Sequence, residues 1–294
     1  MTLFFRRLPP FDYLKPEGIE EALAFMQGNP VGTFRVYAGG TDVLPKIKRR
    51  TDPVPQTLID LKGVMGLDYV TAEKDGGLRI GALASINAVA ESEAVKVRFP
   101  MLHQAAFSIA SHQIRNRGTI VGNLCNAVPS ADSAPALLCL EARVLCVGPR
   151  GERVVELNRF FTGPGKTVLE RDELVKEIQV PPAEGRGVYI KLSPRSRMDL
   201  AVVGVAALAE TRDAVFSKVR VGLGAVAPTP IRAGRCETFL EGQAVSDEVI
   251  AEAARIAADE SRPIDDHRAS AEYRRLMVEV LVKRALRQVS SSQG

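Results

Sequence analysis

"RGTIVGNLCNAVPSAD" (residues 117–132) holds two glycines, two asparagines and a proline, with no charge between Arg117 and Asp132. Such a stretch is either a plain loop between two helices or a length of main chain laid open to something phosphate-bearing. Glycine favours the second use, because without a Cβ the backbone can come close to a ligand. The choice turns on a second stretch, "YAGGTDV" (37–43), about eighty residues upstream. In "FRVYAGGTDVLPKIKRR" a short extended run enters a turn at Gly39–Gly40. Thr41 or Asp42 is then placed to cap a helix carrying Val43, Leu44 and Ile47. The turn at Gly122 is followed by "SADSAPALLCLEA", a helix with Asp132 or Ser133 as its cap and Pro135 in its first turn. Free N–H groups at such helix starts meet phosphate oxygens. Two turns of this kind could hold a ligand with two linked phosphates between them.

Other phosphate motifs fail. "GPGKT" (163–167) would need a glycine five residues before its Gly-Lys pair to be a P-loop, and that position is Phe160. The G-x-G-x-x-G fingerprint is absent, since Gly39 and Gly40 are adjacent.

The bulk numbers narrow the class. A chain of 294 residues is long enough for two or three domains. It is 46% apolar and 25% charged, as a globular protein is. The net charge of +4 comes from interspersed charges rather than a basic stripe, and there is no Trp, so a nucleic-acid partner is not expected. No apolar run approaches the roughly 20 residues of a membrane span. The start has its basic pair after the apolar patch and reads as no signal peptide, so a cytoplasmic location is expected. Cys125, Cys139, Cys146 and Cys236 stand mostly in apolar surroundings without a CxxC pair, as reduced buried thiols would.

Along the chain, Pro16 fits the first turn of a helix with Ile19, Leu23 and Met26 near one face. "TLIDL" (57–61) and "GLRIGALAS" (77–85) read as strands. "SINAVAES" and "FPMLHQAAFSIASHQI" read as helices, the second largely buried. "RVLCVGPRGERVVEL" alternates as a hairpin about Gly148–Gly151, and "PPAEGRG" (181–187) is the best linker. Beyond it, "DLAVVGVAALAET" and "KVRVGLGAVAPTPIRA" read as antiparallel neighbours followed by two helices, an α+β pattern. His103 and His112 flank the buried helix as satisfied polar residues, and His267 reads as surface.

Five segments stand in one order: "FDYLKPEGIEEAL", "YAGGTDVLPKIKRR", "QIRNRGTIVGNLCNAVPSADSAPALL", "GPGKTVLERDELV" and "YIKLSPRSRMDLAVVGVAA". This order resembles the FAD-binding medium subunit of the xanthine dehydrogenase (molybdenum hydroxylase) family, to which carbon monoxide dehydrogenase medium subunits also belong. The resemblance covers about residues 10–289.

It implies an α+β fold: a two-part FAD-binding domain over 1–180 (about 1–58 and 59–180), then a C-terminal domain of antiparallel strands packed on helices over 188–290. Val36, Tyr37, Ala38, Gly39, Gly40, Thr41, Asp42 and Val43 would run along the FAD pyrophosphate. Thr119, Ile120, Val121, Gly122 and Asn123 would form the other half of the cradle. Asp132 would accept hydrogen bonds from ribityl or ribose hydroxyls. Ile109, in the buried helix, and Val175 match positions lining the cofactor. Lys191 matches a lysine near the flavin, and Asp199 and Leu200 match the segment approaching its ring. No catalytic side chain is required, because the flavin does the chemistry. No iron–sulfur cluster is expected in this chain, which lacks the cysteine-rich insertion of benzoyl-coenzyme-A-type reductases. A small 2Fe–2S subunit and a large molybdenum-cofactor subunit are the implied partners, with NAD or another carrier as acceptor. Two alternatives stay open: a stand-alone FAD-dependent reductase and a non-catalytic scaffold that has lost FAD. The scaffold rests on one departure, Val121 in place of the first glycine of the usual "TIGGN". Either the backbone at 121 is ordinary or the loop has shifted.

Overall fold

The computed structural model describes residues 7–195 and 198–291. Strand β1 (Asp12–Leu14), helix α1 (Ile19–Gly28), β2 (Phe34–Tyr37), α2 (Val43–Arg49) and β3 (Thr57–Asp60) make a small parallel sheet in the order β1-β3-β2. Central β3 is paired on both edges, and its Leu58 and Ile59, which point to opposite faces, are both buried, as in a parallel sheet covered on both faces. Its last residue, Asp60, is buried too, and Lys62 and Tyr13 supply its hydrogen bonds. Helix α1 begins three residues later than the proline pattern suggested. Gly18 holds the extended N-cap position, and Pro16 precedes the helix, its carbonyl packed against Gly63.

The next segment is built on an antiparallel sheet with a helical insertion. Strands β4 (Val70–Ala72) and β5 (Leu78–Gly81) lead into α3 (Ile86–Glu91), α4 (Glu93–Arg98), α5 (Pro100–Ser108), α6 (His112–Arg115), α7 (Ile120–Cys125) and α8 (Ser133–Cys139). The hairpin β6 (Arg143–Gly148) and β7 (Gly151–Glu156) follows, paired from Arg143↔Glu156 to Gly148↔Gly151, as its alternation requires. After the short pair β8 (Phe161–Gly163) and β9 (Lys166–Thr167), β10 (Leu174–Val180) inserts between β5 and β6, giving the order β4-β5-β10-β6-β7.

Two sequence expectations are corrected here. The apolar run at 99–114 is not one helix: α5 stops at Ser108, Ile109 is extended, and Ala110 has φ +44°. The buried guanidinium of Arg115 causes the break, donating to the carbonyls of Phe107 and Ile109 at 3.1 and 3.0 Å and so satisfying the end of α5. The 117–132 stretch is not a turn throughout either, since α7 occupies its middle and Gly122 is helical.

Strands β11 (Arg186–Leu192), β12 (Val203–Arg212), β13 (Val215–Gly224) and β14 (Ile231–Arg232) form a third, antiparallel sheet, followed by α9 (Gly234–Leu240), α10 (Asp247–Glu260) and α11 (Ala271–Ser290). Arg186 and Gly187 of the proline-rich linker already belong to β11. This sheet is covered on both faces, which explains why β12 reads as almost unbroken apolar residues. Val205, Ala207 and Ala209 face the core shared with α10 and α11, while Ala206 and Leu208 join the core of the preceding segment. The result is an α+β protein with two apolar cores and one sheet serving both.

Candidate functional site

A cleft of about 360 Å³ lies where the first two segments meet. One wall is the turn between β2 and α2. The other is the main chain from Gly118 through α7 to Asp132. Gly39 brings these walls together: a Cβ there would stand 1.8 Å from the Arg117 carbonyl oxygen and 2.8 Å from the Gly118 Cα. Gly40 has φ +76°, and its missing Cβ leaves room for the Tyr37 ring. Gly39 thus lets protein backbone meet protein backbone and Gly40 admits a ring, uses the sequence alone had assigned to a ligand. Lys46 Nζ crosses the same seam to Asn126 Oδ1 at 2.7 Å. Lys62 props the turn from below, its Nζ over the Tyr37 ring and 2.9 Å from the Ala38 carbonyl.

Thr119 is the N-cap of α7, its hydroxyl accepting from the Gly122 N–H at 2.9 Å. Val121 therefore sits in the first turn of a helix with an ordinary backbone, buried at 6% exposure and facing the cleft. The backbone at 121 is therefore ordinary and unstrained, the first of the two readings of this departure. Asp42 occupies the N-cap position of α2 but makes no capping bond; burial pushes its carboxyl upward, partly offset by Lys46.

Asp132 likewise stands at the start of α8 without capping it. Its Oδ1 accepts from the Tyr189 hydroxyl at 2.7 Å and its Oδ2 from Lys191 Nζ at 2.8 Å. Burial holds this carboxyl above the ordinary carboxylate range, against the Lys191 charge and the hydrogen bonds from Lys191 and Tyr189, which pull it down. Each carboxylate oxygen keeps a further acceptor site for a hydroxyl in the cleft. At the mouth, Arg195 grips Asp199 through two bonds of 2.8 and 2.9 Å, and Met198 and Leu200 stand exposed.

Every residue expected around the cofactor lines this cleft except Tyr37, Ile120 and Lys191. Tyr37 lies under Gly40, Ile120 is wholly in the core, and Lys191 sits behind Asp132, where it lines a second cavity instead. Ile109 does line the cleft, as the extended residue ending α5 rather than from within a helix. His103 and His112 are partnered by the Ala90 carbonyl and Asn87. The sequence reading passed over Gly118, Ile114, Asn126 and Met198 in the lining, and Tyr189 behind it. The alternation of "YIKL" was the available signal for Tyr189, since it shares a strand face with Lys191.

Residues 9–183 match the family described as the FAD binding domain in molybdopterin dehydrogenase, and residues 188–289 match the CO dehydrogenase flavoprotein C-terminal domain. The chain is 32% identical to the glyceraldehyde dehydrogenase medium chain of Sulfolobus acidocaldarius, over 96% of this chain and 99% of that one. It is also 32% identical to the xanthine dehydrogenase FAD-binding subunit of Escherichia coli O157:H7, over 96% and 97%. Among solved structures, the carbon monoxide dehydrogenase of Hydrogenophaga pseudoflava lacking the Mo-pyranopterin moiety of its cofactor superposes with a TM-score of 0.92. Identity there is 34%, over 96% of this chain and 98% of that one. Fold and cleft thus define an FAD-binding flavoprotein of α+β architecture. The chain belongs to the molybdenum hydroxylase family as an FAD-binding medium subunit, one part of an oxidoreductase.

Proposed function

We propose that the cleft between the 36–43 turn and the 118–132 segment holds FAD, and that the chain is the electron-transfer subunit between 2Fe–2S clusters and an acceptor. The observation that carries the reading is the seam itself. Two backbone segments, locked against each other at Gly39, end on a buried carboxylate that still has acceptor capacity. The residues fit the cofactor's chemistry. Main-chain N–H groups at the starts of α2 and α7 suit a pyrophosphate, Asp132 suits sugar hydroxyls, and Ile109, Val121, Val175 and Leu200 supply apolar walls for a ring system. When bound, FAD supplies the exchange between single-electron and paired-electron transfer. The protein's share is placement: Lys62 and Lys46 hold the walls, and Tyr189 and Lys191 hold Asp132.

The 2Fe–2S clusters and the molybdenum cofactor belong, on this reading, to a small and a large partner subunit, and the acceptor is NAD or another carrier. Among the described residues no helix is long and apolar enough to cross a membrane. The free cysteines, three of them buried, support a reducing cytoplasmic setting.

The test is to purify the chain, add FAD, remove the excess, and record the visible spectrum and the identity of the released cofactor. One FAD per chain is expected. No retained flavin overturns the reading in favour of the scaffold. Co-purification with a 2Fe–2S protein and a molybdenum protein is expected from the native source; their absence beside retained FAD favours the stand-alone reductase.

A further inference from the structure

β11 opens the C-terminal sheet, yet its Tyr189 is buried in the core of the FAD-binding half at 7% exposure. The strand is stitched to α5 at two points. The Tyr189 N–H donates to Gln104 Oε1 at 2.8 Å, and Lys191 Nζ donates to the Ser108 carbonyl at 3.2 Å. From this fixed strand, residues 189 and 191 reach one to each oxygen of Asp132. The neighbouring strand leaves the space this needs. Lys191 pairs with Gly204, and a Cβ on Gly204 would come within 2.8 Å of the Tyr189 hydroxyl oxygen while lying 3.5 Å from the nearest ring carbons. The glycine accommodates the hydroxyl more than the ring.

We propose that Tyr189 is a positioning residue for the cofactor cleft: its hydroxyl, with Lys191, holds the Asp132 carboxyl group in one orientation, turned to accept from the bound cofactor. The C-terminal sheet thereby sets the polarity of a site whose walls come from the other two segments. The proposal rests on the reading above, that Asp132 faces FAD. A carboxylate held by one donor can rotate, and half of its charge then lies unpaired in a buried site. Two donors at strand spacing remove that freedom before the cofactor arrives, and the ordering cost is not charged to binding.

The experiment uses the full chain reconstituted with FAD. Tyr189→Phe keeps the ring and its packing, so the melting temperature should fall by only several degrees, the cost of one buried hydrogen bond. FAD affinity should fall about ten-fold, the scale of a hydrogen bond to a charged group. The pH at which affinity falls on the acid side should rise, because Asp132 has lost a donor to its charged form. The groups bearing on that titration are Lys191 and Tyr189 on β11; α7 and α8 bring Asn123 and Ser133, themselves hydrogen-bonded together, and the thiols of Cys125 and Cys139, the latter pushed up to about 12 by burial. Asp42, Glu173, Asp199 and Cys125 line the same cleft. Glu173 and Asp199 are engaged by Arg153 and Arg195, and the Cys125 thiol is pushed up to about 12 by burial. An Asp42→Asn background removes the remaining carboxyl.

Gly204→Ala supplies the second arm. It should weaken FAD binding in the wild-type background by pressing on the hydroxyl, and add nothing in the Tyr189→Phe background, where the hydroxyl is gone. Wild-type affinity and an unmoved acid limb in Tyr189→Phe would overturn the proposal. So would equal effects of Gly204→Ala in both backgrounds. Failure of the wild-type chain itself to bind FAD would instead overturn the assignment of the cleft.

Discussion

Gly39→Ala puts one methyl group where the two walls of the cleft touch. Its carbon would lie 1.8 Å from the Arg117 carbonyl oxygen and 2.5 Å from the carbonyl carbon, whereas ordinary contact begins at 3.4 Å. The seam must therefore open by about 1.6 Å. Both sides are main chain, so no side chain can turn aside to absorb the displacement. Overpacking of this kind costs about 1–3 kcal/mol, and the rigidity here argues for the upper half of that range. In the free variant the walls relax apart; if FAD spans the seam as proposed, they have to close on binding. The penalty then falls on binding: about 2–3 kcal/mol, or roughly a 30- to 150-fold rise in Kd. Titration of the apo-chain with FAD, followed by quenching of flavin fluorescence, measures it directly. Gly28→Ala is the control. Gly28 ends α1 with nothing within 4 Å of its Cβ position, so alanine there should be neutral or stabilising by up to about 1 kcal/mol. An FAD affinity for Gly39→Ala within about two-fold of the wild type would refute both the seam geometry and its role in the cleft.

Val121→Gly, which makes the stretch match the "TIGGN" pattern, should weaken the protein rather than tighten FAD binding. It places glycine in a helix and empties a buried apolar site, at a cost of about 2 kcal/mol visible in urea denaturation; a gain in FAD affinity would count against the helical backbone at 121. Lys191→Met strands the buried Asp132 carboxylate and should destabilise the fold by roughly 3 kcal/mol, while Asp132→Asn combined with Lys191→Met should recover most of that loss in thermal melts. Asp266 supplies a test in acid. Burial alone would raise its carboxyl, but the backbone N–H groups of Arg268 and Ala269 and the Arg274 guanidinium outweigh this and bring it down to about 2. A depressed carboxyl stabilises the fold above its unfolded pKa of 3.8, and the contribution disappears as pH falls from about 4 to about 2. Asp266→Asn should remove about 1–2 kcal/mol of that acid dependence, and an unchanged stability profile between pH 5 and about 2.5 would exclude the assignment.

The features legible in the sequence were those set by local chemistry. Alternation marked the 143–156 hairpin, and the glycines marked both walls of the cleft, although Asp42 and Asp132 stand at helix starts without making a capping bond. What escaped depended on partners far along the chain. Nothing in the run "AAFSIASHQI" ends a helix after Ser108; the terminator is Arg115, whose guanidinium folds back onto the carbonyls of Phe107 and Ile109. Tyr189 escaped for the same reason, since a tyrosine in an alternating strand reads as packing until its hydroxyl is found against Asp132. Gly39 was found, but its freedom from a Cβ serves Arg117, about eighty residues away, and no local pattern reveals that. Val121 looked anomalous only while its backbone was taken for a turn. Inside α7 a valine is unremarkable.

The arrangement of the two cores bears on why the C-terminal sheet travels with an FAD-binding fold at all. Were that sheet an independent appendage, its inner face would carry its own core and its outer face polar residues. Instead Tyr189, Ala206 and Leu208 are buried with α5 and α8, and Gly187 and Gly222 allow close approach to Met101 and the Pro135 carbonyl. The outer face of the sheet thus forms part of the wall supporting α8, which Asp132 immediately precedes. A carboxylate buried at this depth needs both a cation and a second donor that do not move. Neither α7 nor α8 supplies a cation, so both donors come from the next domain, on a strand held by pairing on one edge and by Gln104 and Ser108 on the other side. The polarity of the cleft is therefore a property of the whole chain, although its walls belong to the first two segments.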